Sequence, residues 1–70
     1  MMEEKELNKR FTYHAPKNDQ PARYIEVRSQ AKIFASLLIE QCPESRELSL
    51  ALTKLEESVF WANASIARNE

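Results

Sequence analysis

Glycine is missing altogether from these 70 residues. Its absence excludes the glycine-rich phosphate loops of mononucleotide and dinucleotide enzymes, whose tight turns and close backbone approaches only glycine allows. Any phosphate bound here must be held by side chains or by a helix N-terminus. Cysteine is reduced to Cys42 and histidine to His14, so no intrachain disulfide forms, and one thiol beside one imidazole does not build a structural zinc site. No apolar run approaches the roughly 18 residues of a membrane span, and the charged opening segment lacks the apolar stretch of a signal peptide. A reducing cytosol is the expected setting, with no membrane partner. Basic excess is lacking too: a net charge of -1 argues against general affinity for polymeric nucleic acid. Catalytic sets are equally thin. There is no Ser-His-Asp arrangement at recognisable spacing, and the adjacent Glu56 and Glu57 diverge around a helix. The chain reads as a non-enzyme without cofactor or metal.

What the chain has in quantity is apolar helix. From Leu48 to Arg68 the positions Leu48, Leu52, Leu55, Val59, Ala62 and Ile66 recur at steps of four and three, which keeps them on one helical face. A second set, Ala51, Phe60, Trp61 and Ala64, lies round the side. One partner helix from the same chain covers only one of these stripes. Hydrophobic residues make up 43% of the sequence, and a domain of roughly 60 residues buries only about 60% of the surface its unfolded chain exposes. With no disulfide or metal to staple it, self-assembly is the expected destination of the second stripe.

From Pro21 to about Gln41 the spacing is again helical. Tyr24, Val27, Ala31, Phe34 and Leu38 form a seam, and Ile33 and Leu37 a second apolar row. Cys42-Pro43 ends this helix, because a residue before proline is pushed out of the helical region, and Pro43 or Ser45 opens the next. So short a connection folds two helices of about 20 to 24 residues back as an antiparallel hairpin. Ahead of it, Phe11 to Gln20 is irregular. It ends in turn formers, with Asp19 as the expected side-chain N-cap and Pro21 tolerated in the first turn. Residues 1–10 are charged and poor in apolar anchors, either a frayed arm or a short helix that orders on assembly. The expected class is all-α: an antiparallel two-helix hairpin spanning 11–70, with a short N-terminal segment over 1–10, assembling into a compact homo-oligomer. Charge is unevenly spread: residues 1–32 hold seven basic and five acidic side chains, leaving +2, and residues 33–70 hold three and six, leaving -3.

The wording of the sequence is itself distinctive. Cys42-Pro43-Glu44-Ser45-Arg46-Glu47, then Leu50-Ala51-Leu52-Thr53-Lys54-Leu55-Glu56-Glu57, then Phe60-Trp61-Ala62-Asn63-Ala64-Ser65-Ile66-Ala67-Arg68-Asn69 closely resemble the helical-hairpin domain of phage cyclic-nucleotide sponges, the anti-CBASS and anti-Thoeris proteins. Phe11-Thr12-Tyr13-His14-Ala15-Pro16 and the helix from Arg23 extend the resemblance to residues 11–69. It implies a phage protein that sequesters, without cleaving, the nucleotide messengers that bacteria make on infection, acting in the host bacterial cytoplasm. It also implies compact hexamers of hairpins, with cyclic dinucleotides held between the N-terminal regions of paired subunits and cyclic trinucleotides in separate pockets. One departure is visible: the family pattern often has two prolines after Tyr-His, and Ala15 replaces the first, which loosens the loop.

By position, Tyr13 and Arg28 match the tyrosine and basic residue that line the dinucleotide pocket of the family. The roles suit their chemistry. A phenol ring stacks on a base for about 1 to 3 kcal/mol, a guanidinium forks two hydrogen bonds onto a phosphate, and an isologous dimer presents both twice to a ligand of near twofold symmetry. His14, Pro16 and Lys32 complete that candidate set, with His14 expected first to hydrogen-bond the loop that follows it. Thr53 and Arg68 are candidates for a second nucleotide pocket. Plainer readings stand beside these. Tyr13 also suits a half-buried anchor between loop and hairpin, Glu26 or Glu40 also suit neutralisation of Arg28 and Lys32, and Trp61 reads as core or interface. The chain also suits an interaction module that docks on a protein through its Phe60 and Trp61 side, with no nucleotide ligand.

Overall fold

Two proline and serine signals divide the chain into its long helices. Cys42, extended at φ -113° and ψ 138°, closes the first by donating its backbone N–H to the Leu38 carbonyl. Ser45, also extended, opens the second: its Oγ accepts from the Leu48 N–H at 3.1 Å and donates to the Pro43 carbonyl at 3.0 Å. The computed structural model describes residues 3–70 and holds three helices, α1 (Glu4–Phe11), α2 (Gln20–Gln41) and α3 (Arg46–Asn69), with no strand among the described residues. The described residues are thus all-helical, with α1 standing over most of the 1–10 segment, where an arm or a short helix was expected; Met1 and Met2 of that segment lie outside the described residues.

Eight residues make a marginal helix on their own, and α1 is helped by its charge order. Glu4 and Glu6 stand in its first turn and Lys9 and Arg10 in its last, matching the helix dipole. Glu6 also pairs with Lys9 at 3.7 Å and Arg10 at 3.2 Å. The helix is tied to the rest of the chain by Lys9 Nζ, which donates to Asn69 Oδ1 at 3.2 Å.

α2 and α3 pack along their length, with the start of α2 beside the end of α3: Gln20 and Arg23 bond to Ile66 and Glu70. On α3 the seam is the one the spacing predicts, with Leu48, Leu52, Leu55, Val59, Ala62 and Ile66 all half-buried. On α2 it is Tyr24, Val27, Ala31, Ala35 and Leu38. Ala35 thus takes the place expected for Phe34, which is 49% exposed. A small residue at this step lets the two backbones approach, and the larger ring turns outward to the Ile33 and Leu37 row.

No apolar side chain among the described residues is fully buried. The molecule is a slab of 46 × 32 × 12 Å, one helix thick. Its radius of gyration, 15.5 Å, exceeds the roughly 11 Å of a compact 70-residue domain. Its accessible surface of 5907 Å² exceeds the roughly 4,500 Å² of a compact monomer of its mass. Ile25, Ile33, Leu37, Ile39, Leu50, Phe60 and Trp61 are left facing outward. Two helices share one seam, and these side chains stay exposed on the other faces among the described residues. None of the described helices is long and apolar enough to cross a membrane.

Candidate functional site

The α2–α3 seam creates a groove by the same step that leaves side chains uncovered. Half-buried Ala31, Ala35, Leu55 and Val59 make its floor, and exposed Arg28, Lys32, Glu56 and Phe60 its rim, around about 360 Å³. Arg28 and Lys32, one turn apart on α2, therefore point a double positive charge at an apolar channel whose far wall carries an aromatic ring. Among the described residues neither cation ends in an ion pair. Glu26 and Glu40, on the same helix, make no ion pair with them within the single chain.

Phe60 also borders a second groove of about 360 Å³ with Glu57, Trp61, Ala64 and Arg68. Trp61 and Arg68 in turn border a third, about 220 Å³, closed on its other side by Glu6 and Lys9 of α1. The grooves thus form one chain over the molecule, with Phe60, 63% exposed, and Trp61, 61% exposed, as the shared walls. Trp61 is therefore no part of a core within the chain. Thr53 is exposed and borders none of these grooves; it shares a helical face of α3 with Glu57, Phe60 and Ala64 by spacing alone.

The segment from Thr12 to Asp19 carries the other candidates. Tyr13 is 83% exposed and Pro16 exposed, and neither borders the three grooves. Tyr13 is thus not the half-buried loop anchor of the plainer reading, and one chain alone does not bring it to the groove that Arg28 lines. His14 is half-buried, and its Nε2 donates to the Lys9 carbonyl at 2.9 Å. The expected bond to the following loop is replaced by one to the preceding helix, since the last carbonyls of α1 have no partners within it.

Asp19 does not cap α2 with its side chain. Its φ of -87° and ψ of 4° turn the carboxylate away from the first-turn amides and toward Arg23 Nη1, 3.6 Å off, while its carbonyl accepts from the Arg23 N–H at 3.1 Å. The residue that organises this end is Gln20, which the spacing of apolar residues does not mark. It is the one buried residue among those described, at 2% exposure. Its Oε1 accepts from the Lys17 N–H at 3.1 Å, and its Nε2 donates to the Ile66 carbonyl at 3.4 Å and to Glu70 Oε1 at 3.2 Å. Arg23 forks onto both Glu70 oxygens at 2.8 Å, and Lys17 Nζ donates to the Glu70 carbonyl at 2.9 Å. Hydrogen bonding from Arg23, then from Gln20, holds the Glu70 carboxyl below the ordinary glutamate value, and Glu70 in turn raises Arg23.

A sequence model of the family described as Acb2/Tad1, hairpin domain, matches residues 2–67. The chain belongs to that family. Acb2/Tad1 hairpins are the domains of phage cyclic-nucleotide sponges, which sequester their ligand rather than convert it. The match runs across α1, the Tyr13 segment and nearly all of the α2–α3 hairpin, so the groove lined by Arg28 and Lys32 lies wholly within it and the other two do so except for Arg68 and Asn69. No curated protein and no solved structure matches the chain.

Proposed function

We propose that this Acb2/Tad1 hairpin protein is an oligomeric phage immune-evasion factor that binds cyclic dinucleotides, and in separate pockets cyclic trinucleotides. In the cytoplasm of the infected bacterium it keeps them, chemically intact, from the effectors of CBASS-type defence. The observation that carries the reading is the family match over residues 2–67. The geometry is in keeping with it. A monomer one helix thick, with no buried apolar side chain among those described, calls for further copies as cover. The compact form of the family resemblance, a hexamer, is the proposed assembly. In an isologous pair the exposed Tyr13 of one copy meets a groove of another, where Arg28 and Lys32 have no ion-pair partner among the described residues. Bases then stack on Tyr13 and phosphates lie against Arg28 and Lys32, with His14 and Pro16 shaping the loop. Arg68, beside Trp61, and Thr53 serve the second pocket.

A sponge works by mass action, so affinity and copy number matter and turnover does not. The test is calorimetry of the purified oligomer against cyclic dinucleotides, cyclic trinucleotides and cyclic ADP-ribose isomers. Tyr13→Ala with Arg28→Ala is expected to keep the oligomeric mass and lose the dinucleotide heat. Unchanged binding by the double variant puts the pocket elsewhere. Absence of heat with every nucleotide overturns the sponge reading in favour of a protein-docking module, and recovery of an altered nucleotide after denaturation overturns it in favour of an enzyme.

A further inference from the structure

The Thr12–Asp19 segment has no regular structure of its own, yet it enters α2 along a defined path. Asn18 sits at φ 53°, in the left-handed region that asparagine tolerates better than most residues. The turn it makes is closed by the Gln20 N–H donating to the Lys17 carbonyl at 3.0 Å. Gln20 returns to the same residue with its side chain, Oε1 accepting the Lys17 N–H. Lys17 is thereby held through both of its backbone polar groups, an arrangement like the return half of a capping box. The other end of the same amide reaches Ile66 and Glu70 at the close of α3. One side chain therefore joins three parts of the chain: the loop, the start of α2 and the end of α3.

Burial makes this joint obligatory. At 2% exposure the Gln20 amide has no access to bulk water, so a lost partner leaves an unsatisfied group in its place. Every polar atom of the amide is matched in kind, with the oxygen on an N–H and the nitrogen on a carbonyl and a carboxylate oxygen. At the other end of the loop His14 is pinned to the Lys9 carbonyl. Tyr13 projects from just beside that pin, 83% exposed and with no side-chain hydrogen bond among the described residues.

We infer that Gln20 is the positioning residue for Tyr13: it locks the Lys17 end of the loop to the hairpin, so that Tyr13 is presented preformed to its ligand. The binding part of this inference rests on the sponge reading above, whereas the locking part does not. A preformed loop binds without an ordering cost, and loosening it weakens affinity while leaving the contacts available.

The experiment uses the full chain in its assembled state, with hydrogen exchange of residues 12–19 and calorimetry against cyclic di-AMP, cyclic di-GMP and 3′,3′-cyclic GMP-AMP. Gln20→Ala is expected to speed exchange within 12–19, with the centres of α2 and α3 unchanged, and to weaken binding of whichever dinucleotide the unaltered protein takes by about tenfold. Gln20→Glu keeps the acceptor for Lys17 but sets a second carboxylate against Glu70, and is expected to do the same. Adding Glu70→Gln to it returns a donor opposite the new carboxylate, though the Ile66 carbonyl stays without its donor and the Arg23 fork is lost, and is expected to restore slow exchange and affinity in part. Unaltered exchange over 12–19 in Gln20→Ala overturns the lock. Fast exchange with full affinity overturns the positioning role. Should Gln20→Ala fail to assemble, the double variant decides, and no recovery over Gln20→Glu alone overturns the inference. If the unaltered protein binds no nucleotide, the sponge reading falls on that result, while the exchange data still judge the lock.

Discussion

At the Gln20 end of the hairpin the polar groups are answered from within the chain: Gln20, Arg23 and Glu70 share a closed set of hydrogen bonds. Along the flank from Arg28 to Phe60 the reverse holds, with two cations that have no ion-pair partner among the described residues and two aromatic rings mostly in solvent. The first region fixes how the hairpin closes and the second is left for something outside the chain. Polar bonds that are exclusive in geometry suit the closing of a fold, because few alternative partners satisfy them. Apolar surface is non-directional and suits association, where another surface supplies the cover. A 70-residue chain too small to bury its own apolar side chains separates the two tasks in space.

The sharpest way to break this comparison is to charge the open flank. Phe60→Asp replaces a ring that is 63% exposed in the single chain, so the hairpin itself is expected to keep its helicity. Interface aromatics carry about 2 to 4 kcal/mol of association when removed, and the sedimentation mass at micromolar concentration is expected to fall to that of a monomer. A variant that still sediments with the unaltered mass excludes this flank as the interface. A folded monomer from the unaltered chain removes the need for assembly altogether.

A smaller change probes the closed side at its other end. Ser45→Ala deletes the acceptor of the Leu48 N–H at the start of α3 and is expected to cost about 1 kcal/mol in thermal or urea unfolding, with nucleotide affinity unaltered. Loss of affinity at equal fold would show that the hairpin turn takes part in the ligand site.

The smallest effect is one of pH. The Glu70 carboxyl is held below its ordinary value by Arg23 and Gln20. A group whose folded pKa is depressed adds stability above its unfolded pKa, about 4.3 for glutamate, and loses it as pH falls through the lower folded value. Arg23 is raised and stays charged throughout this range. Melting temperature is therefore expected to drop below about pH 4.3, with a shallower drop in Glu70→Gln. Because the pair is solvent-exposed, the difference is expected to be modest and to shrink with salt. Equal acid sensitivity in the two proteins assigns the effect to other carboxylates.

Much of the scaffold was legible before any coordinates. The four-three spacing of Leu48, Leu52, Leu55, Val59, Ala62 and Ile66 predicts the half-buried seam of α3 residue by residue. Cys42-Pro43 and Ser45 mark the ends of the two long helices, with Arg46 opening α3 two residues before the spacing begins. Excess apolar surface follows from composition and length. The choice between Phe34 and Ala35 did not follow, because hydropathy rewards the larger residue at a step where close backbone approach admits only the smaller. Asp19 likewise carries the right chemistry for a cap, but its backbone turns the carboxylate toward Arg23.

The candidate site divides in the same manner. Arg28 and Lys32 share a helix face by arithmetic, so their common groove was accessible from sequence; its far wall, Phe60, depends on how α3 lies against α2. His14 could be singled out as the lone imidazole, but its partner on α1 depended on the loop folding back. By itself the sequence determined what is local and periodic: helix extents, the packed stripe, the surplus of apolar surface and the family likeness, all carried by nearest neighbours along one chain. Only the tertiary structure decided that Gln20 is the buried joint, since its partners Ile66 and Glu70 lie 46 and 50 positions away. A hydrogen bond across that separation leaves no period in the sequence to read.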